Sequence, residues 1–175
     1  MTDKQLHISL KKRKLRLSIW HTLVHFAIVG FLTLIPVTFI LLNISNSKPI
    51  KQNSLLIFLI PLTLALIFFI IQSRRLKFRI IKTNLPKHKL DNLIEKVAQE
   101  LKWFPYETDN DYIVAKTYPS LWSGSWGERI TIIFTKNQVL INSICDPDRA
   151  SSITSMGRNK KHVNKLVQEI ESASR

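Results

Sequence analysis

Over its two longest stretches this sequence lacks charge altogether. From Leu17 to Ser47 there are 31 residues without Asp, Glu, Lys or Arg, and from Gln52 to Ser73 there are 22. A helix needs about 20 predominantly apolar residues to cross the hydrocarbon of a bilayer. Helices of soluble cores are rarely so long and so apolar. The pattern therefore predicts two spans, near 19–43 and 54–73, joined by a connector at 44–53. With no charged residue inside either span, a proton or ion pathway is disfavoured. The first run also exceeds the roughly 7–15 apolar residues of a signal peptide, and no small-x-small site ends it. Its exit reads "LLNISNSK", which fits a signal anchor.

Cysteine is nearly missing. Cys145 is the single one, so an intramolecular disulfide is excluded, and a small buried residue is the favoured role over a reactive thiol. Glycine is scarce too, with four in 175 residues. There is no Walker-type loop, no GxGxxG, no HExxH and no CxxC pair. The "DPD" of Asp146–Pro147–Asp148 offers two carboxylates, but no oxygen-rich positions follow at calcium-loop spacing, so it reads as a strand-ending turn. His21 and His25, spaced i, i+4, share a helix face and could hold a metal or haem. No ligand partner appears in the second span, so interfacial polar residues beside Trp20 are the simpler reading. No catalytic constellation and no cofactor are expected. No internal repeat or low-complexity segment is present.

Acidic residues are outnumbered by basic ones, 12 to 26. The imbalance is local. Residues 1–18 carry six basic side chains against Asp3, residues 74–82 carry five against none, and residues 83–175 carry 13 against 11. Nucleic acid is disfavoured as a partner because the C-terminal part is almost neutral. The basic clusters flank the apolar runs instead. The positive-inside rule then places tail 1–18 and segment 74–82, with both termini, in the cytoplasm, at the inner membrane if the cell is bacterial. Lys12, Arg13, Lys14, Arg16, Arg74, Arg75, Lys77 and Arg79 are expected to face the anionic lipid of the inner leaflet.

Each span holds one proline, Pro36 and Pro61, and in an antiparallel hairpin the two lie at similar depth. Proline removes a helical hydrogen bond, and Thr33, Thr38 and Thr63 are placed to satisfy the freed carbonyls. Packing geometry is the favoured reason for both prolines, a matched flexible point or pore the alternative.

Residues 83–175 suffice for one small core. Thr83 or Asn84 can cap a helix with Pro86 in its first turn. Leu90, Leu93, Ile94, Val97 and Leu101 recur at helical spacing and predict a helix over 86–102. Pro105 limits 103–107 to an edge strand. "TDND" turns into a strand over 111–117. Ile130, Ile132 and Phe134 alternate along a third strand, "TKNQ" turns, and "VLINSI" returns. Val163, Leu166, Val167 and Ile170 mark a last helix near 159–173. The expected fold is thus a membrane α-helical hairpin followed by a small α+β two-layer domain of order α-β-β-β-β-α, with an antiparallel sheet and helices on one face.

Two segments rise above this background. "RASSITSMGRNKKH" is rich in hydroxyls and puts basic residues at a helix start, where amides and the helix dipole attract anions. Arg149, Ser151, Ser152, Ser155, Gly157, Arg158, Asn159 and Lys160 form the candidate anion site. The bland reading is an ordinary capped loop with solvated lysines. "SLWSGSWGE" carries Trp122 and Trp126, which admit three placements: packed over the sheet, which is favoured, resting at the membrane interface, or lining a ligand or partner pocket.

With "PSLWSGSWGE" and "INSICDPDRASSITSMGRNKK" in view, the chain resembles small two-pass bacterial membrane proteins with a cytoplasmic α+β tail. The resemblance covers most of the chain and implies architecture and an inner-membrane location, with no activity attached. The plan is also similar to membrane-anchored pleckstrin-homology-like proteins, but here a helix precedes the strands.

The expected function is a non-enzymatic, membrane-anchored binding or assembly module. Its partners would be the anionic leaflet and a membrane protein or a second copy of the chain. The alternative is a small enzyme or sensor acting on an anionic lipid or phosphorylated metabolite at the start of the last helix.

Overall fold

A computed structural model describes residues 1–45, 55–120, 125–149 and 155–174. Most of the expected connector, and Trp122, Ser151 and Ser152, lie outside the described residues.

The first apolar run is divided at Phe26 into α2 (Ile19–His25) and α3 (Ala27–Ser45), and the second forms α4 (Leu55–Arg75). α3 and α4 are long and apolar enough to cross a membrane, and little of either is buried within the protein. They pack side by side and antiparallel: Phe39 meets Phe58 with ring centroids 5.5 Å apart, and Phe26 meets Phe69 at 5.6 Å. Pro36 and Pro61 both stand inside their helices. The hydroxyls of Thr33 and Thr38 donate to the carbonyls of Gly30 and Ile35. Neither is the Leu32 carbonyl that Pro36 releases by i→i−4 counting, so these threonines do not perform the expected compensation.

The remainder builds a five-stranded antiparallel sheet of order β1-β5-β4-β3-β2 from β1 (Arg79–Lys82), β2 (Trp103–Thr108), β3 (Tyr112–Thr117), β4 (Glu128–Thr135) and β5 (Gln138–Cys145). The four expected strands are present, and the antiparallel order is as expected. The fifth, β1, comes from the segment assigned to a basic juxtamembrane linker. Its Ile80 and Ile81 pair with Leu140 and Val139 of β5. Pro105 sits on edge strand β2 beside a bulge, where a missing N–H is tolerated.

One face of the sheet carries α5 (Lys87–Glu100) and α6 (Arg158–Ala173). Leu90, Ile94 and Val97 of α5 and Leu166 and Ile170 of α6 close over Ile130, Ile132 and Ile141. Pro86 itself is the N-cap of α5. The Thr83 hydroxyl, expected as a cap, instead accepts from the Leu85 amide and pairs with Ser174 at 2.9 Å.

The other face is covered as well, which the two-layer expectation omits. The basic N-terminal tail contains α1 (Asp3–Lys12), opened by a Thr2/Gln5 capping box. Leu6 and Leu10 of α1, with buried Leu15, Leu17 and Phe78, lie over Val114, Ile133, Leu140 and Ile144. The chain entering the apolar hairpin is laced to the chain leaving it. The Leu15 amide donates to the Leu76 carbonyl at 2.7 Å and the Phe78 amide to Arg13 at 3.2 Å. Further up, His25 and Gln72 exchange side-chain contacts with each other's carbonyl oxygens, both at 3.1 Å.

Candidate functional site

α6 starts from two consecutive left-handed residues, Met156 (φ 47°) and Gly157 (φ 80°). The turn makes Ser155 a local acceptor: its carbonyl takes the Arg158 amide at 2.8 Å and its hydroxyl the Asn159 amide at 3.4 Å. Two of the amides that would greet an anion are thus already used. The Asn159 side chain accepts from Ser143 at 2.9 Å and reaches Cys145 Sγ at 3.7 Å. Arg149 turns away, its guanidinium 4.5 Å from the Tyr118 ring and donating to the Trp126 carbonyl at 3.4 Å.

Arg158 faces inward. Its Nε donates to Glu128 at 2.8 Å, and Glu128 is fully buried at the head of β4. Ser125 donates to the same carboxylate at 2.6 Å, and the Thr117 hydroxyl also donates to it. His162 Nε2 stands 3.6 Å away, while its Nδ1 accepts from the Trp103 indole at 2.8 Å. Burial alone would raise the pKa of Glu128. Hydrogen bonds from His162, Ser125 and Thr117 and the charge of Arg158 outweigh it and hold the group down at about 2. This network joins α6 to three strands. Sequence reasoning missed it, although one signal was present: Glu128 falls on the same strand face as Ile130 and Ile132.

Lys160 opens onto a groove of about 460 Å³. Its cationic lining comes from Arg75 at the end of α4, Lys77 after it, Arg79 in β1 and Lys160 in α6, with Ser143, Ser155 and Asn159 beside them. Among the described residues no Asp, Glu or His lines it. Three of the expected lipid-facing cations thus share one cleft with four residues of the expected anion site, Ser155, Gly157, Asn159 and Lys160. Clustered like charges repel, and a bound anion relieves that repulsion.

A third constellation sits where α2 begins. His21 contacts Asp148 at 2.5 Å and Arg129 at 3.3 Å, and buried Lys116 reaches Asp148 at 2.6 Å and Asp146 at 3.7 Å. Burial pushes the Asp148 pKa up, but hydrogen bonds from Lys116 and His21 pull it below its ordinary value. His21 and His25 do not converge, since one meets Asp148 and the other Gln72. Among the described residues no cluster of His, Cys, Asp or Glu has the makings of a metal site. Trp126 is exposed rather than packed over the sheet.

The chain matches no protein-family model, and it has no significant match among curated proteins or solved structures.

Proposed function

We propose that this chain is a two-pass membrane protein whose folded domain is a binding module for a phosphate-bearing anionic group, held in the groove between α4, β1 and α6. One observation carries the reading: four cations, from α4, β1, α6 and the link between α4 and β1, line one cleft that no carboxylate enters among the described residues. α3 and α4 supply the anchor, and positive-inside bias keeps the basic flanks and both termini on the cytoplasmic side. Arg75 closes α4, so the groove opens at the level of the lipid headgroups. Basic residues near an anionic leaflet are worth about 1 kcal/mol each. Among the described residues the groove lining offers no His, Asp or Glu to act as general acid or base, which favours binding over catalysis.

The test uses the full chain in nanodiscs. With phosphatidylcholine plus phosphatidylglycerol, native mass spectrometry should show anionic lipid retained by the wild type and lost from an Arg79→Gln/Lys160→Gln variant. In pure phosphatidylcholine discs, titration with glycerol phosphate and with inorganic phosphate tests for a soluble ligand of the same chemistry. Equal behaviour of wild type and variant in both arms overturns the proposal.

A further inference from the structure

We infer that the domain carries a second membrane contact, an aromatic face formed by Phe104, Tyr118 and Trp126 that seats among the lipid headgroups; this rests on the reading that α3 and α4 cross a bilayer.

The antiparallel register decides where these side chains lie. Trp103 is paired with Thr117, Lys116 with Arg129, and Glu128 with Cys145. The start of β2, the end of β3, the start of β4 and the end of β5 therefore share one end of the sheet. Phe104 is at that start of β2, Tyr118 follows β3, and Trp126 precedes β4. They are 51%, 49% and 55% exposed.

The face is held together. The Phe104 and Tyr118 rings lie 5.2 Å apart. Arg149 stacks on Tyr118 while donating to the Trp126 carbonyl. One cation thus ties the Tyr118 ring, just after β3, to the backbone just before β4.

The occupant follows from the neighbour at the same end. α2 begins there, because His21 contacts Arg129 at the start of β4 and Asp148 just after β5. From that point α2 leads into α3, and its Ile19, Trp20 and Leu23 are among the most exposed apolar residues of the protein. α2 and the three aromatic residues thus share one end of the sheet, so a bilayer around the outer surface of α2 would lie beside them. Tyr and Trp, with an apolar body and a polar tip, are the residues favoured at a bilayer's interfacial zone, and a neighbouring Arg suits phosphate. Met156 is exposed in the turn before α6, whose Arg158 pairs with Glu128 at this end of the sheet. Together with the basic groove, the face would give the domain two lipid contacts.

The experiment labels all tryptophans of the full chain with 5-fluorotryptophan and reads fluorine NMR in nanodiscs, the Trp126 signal being assigned by its loss in Trp126→Phe and the Trp20 signal by Trp20→Phe. Lipid spin-labelled at the headgroup should strip intensity from both signals relative to unlabelled lipid. Loss at Trp20 with Trp126 intact leaves the membrane anchor standing and overturns the aromatic contact, assigning that face to solvent or to a protein partner. Intact signals at both positions overturn the contact and the anchor together.

Discussion

Nε of Arg158 donates to a carboxylate oxygen of Glu128 at 2.8 Å, so the arginine that marks the start of α6 is engaged by a buried group of the protein itself. That pairing leaves the proposed anion groove to Lys160, which lines it together with Arg75, Lys77 and Arg79.

The hydrogen bonds of His162, Ser125 and Thr117 to Glu128, with the charge of Arg158, make stability depend on acid. The pKa of Glu128 is depressed in the folded protein from an ordinary 4.5 to about 2. Its contribution is fully present above the unfolded value and is lost as pH falls from there toward about 2. The depression corresponds to roughly 3 kcal/mol at neutral pH. Thermal melts in a fixed nanodisc should show the wild-type domain losing stability over that window. Glu128→Gln should be destabilised at pH 7 and should lack that acid-dependent loss.

Among the described glycines, Gly127 leaves the least room for a side chain. Its φ of +122° disfavours L residues, and a Cβ would stand 2.7 Å from the Thr117 carbonyl oxygen. The obstacle is backbone, so relaxation must displace β3 or the Glu128 carboxylate next door. Gly127→Ala is expected to cost more than about 1 kcal/mol in chemical denaturation, whereas Gly157→Ala, with nothing within 4 Å, has only the backbone strain of φ +80° to overcome.

The N-terminal segment belongs to the fold. Leu17 is buried against the face made by Ile133, Leu140 and Ile144. Leu17→Ala should destabilise the domain by about 2–5 kcal/mol, the usual cost of such a truncation in a core. A fragment starting at residue 83 would lose both β1 and α1. It is expected to bind a hydrophobic dye and to give poorly dispersed amide NMR spectra, whereas the same domain amides should be well dispersed in the full chain held in nanodiscs.

His25 and Gln72 close the hairpin near its basic flank through paired contacts of 3.1 Å. Gln72→Leu keeps the volume and leaves the His25 carbonyl without its donor. Interhelical hydrogen bonds of this kind contribute about 0.6–2 kcal/mol. Spin labels on α2 and α4 should report a broader distance distribution in the variant, and an unchanged distribution would show that packing of Phe26 on Phe69 suffices.

Much of this architecture was legible in the residues alone. The two apolar runs, the helical stripe of Leu90, Ile94 and Val97, and the alternation of Ile130 and Ile132 are local periodicities. They survive because each element buries one face whatever its neighbours are. α1 was also within reach, since Thr2 and Gln5 form a capping box and Leu6 and Leu10 share a face, but its lysines resemble a membrane-surface tail. β1 was hidden for the same reason, as "RIIK" is too short to show a period and begins and ends on a cation.

Local residue pattern thus accounts for where charge is absent, which faces are apolar, and hence for two helices able to span and a helix-flanked antiparallel sheet. Which residues meet follows from the fold as a whole. The register of β5 places Arg79 beside the start of α6, the turn at Gly127 carries Glu128 under Arg158, and the lacing of Leu15 to Leu76 draws the tail onto the sheet. These are contacts between residues far apart in the chain. Their energies depend on burial and geometry that no local pattern encodes, so the cations appear in sequence as scattered flanks and in space as one groove.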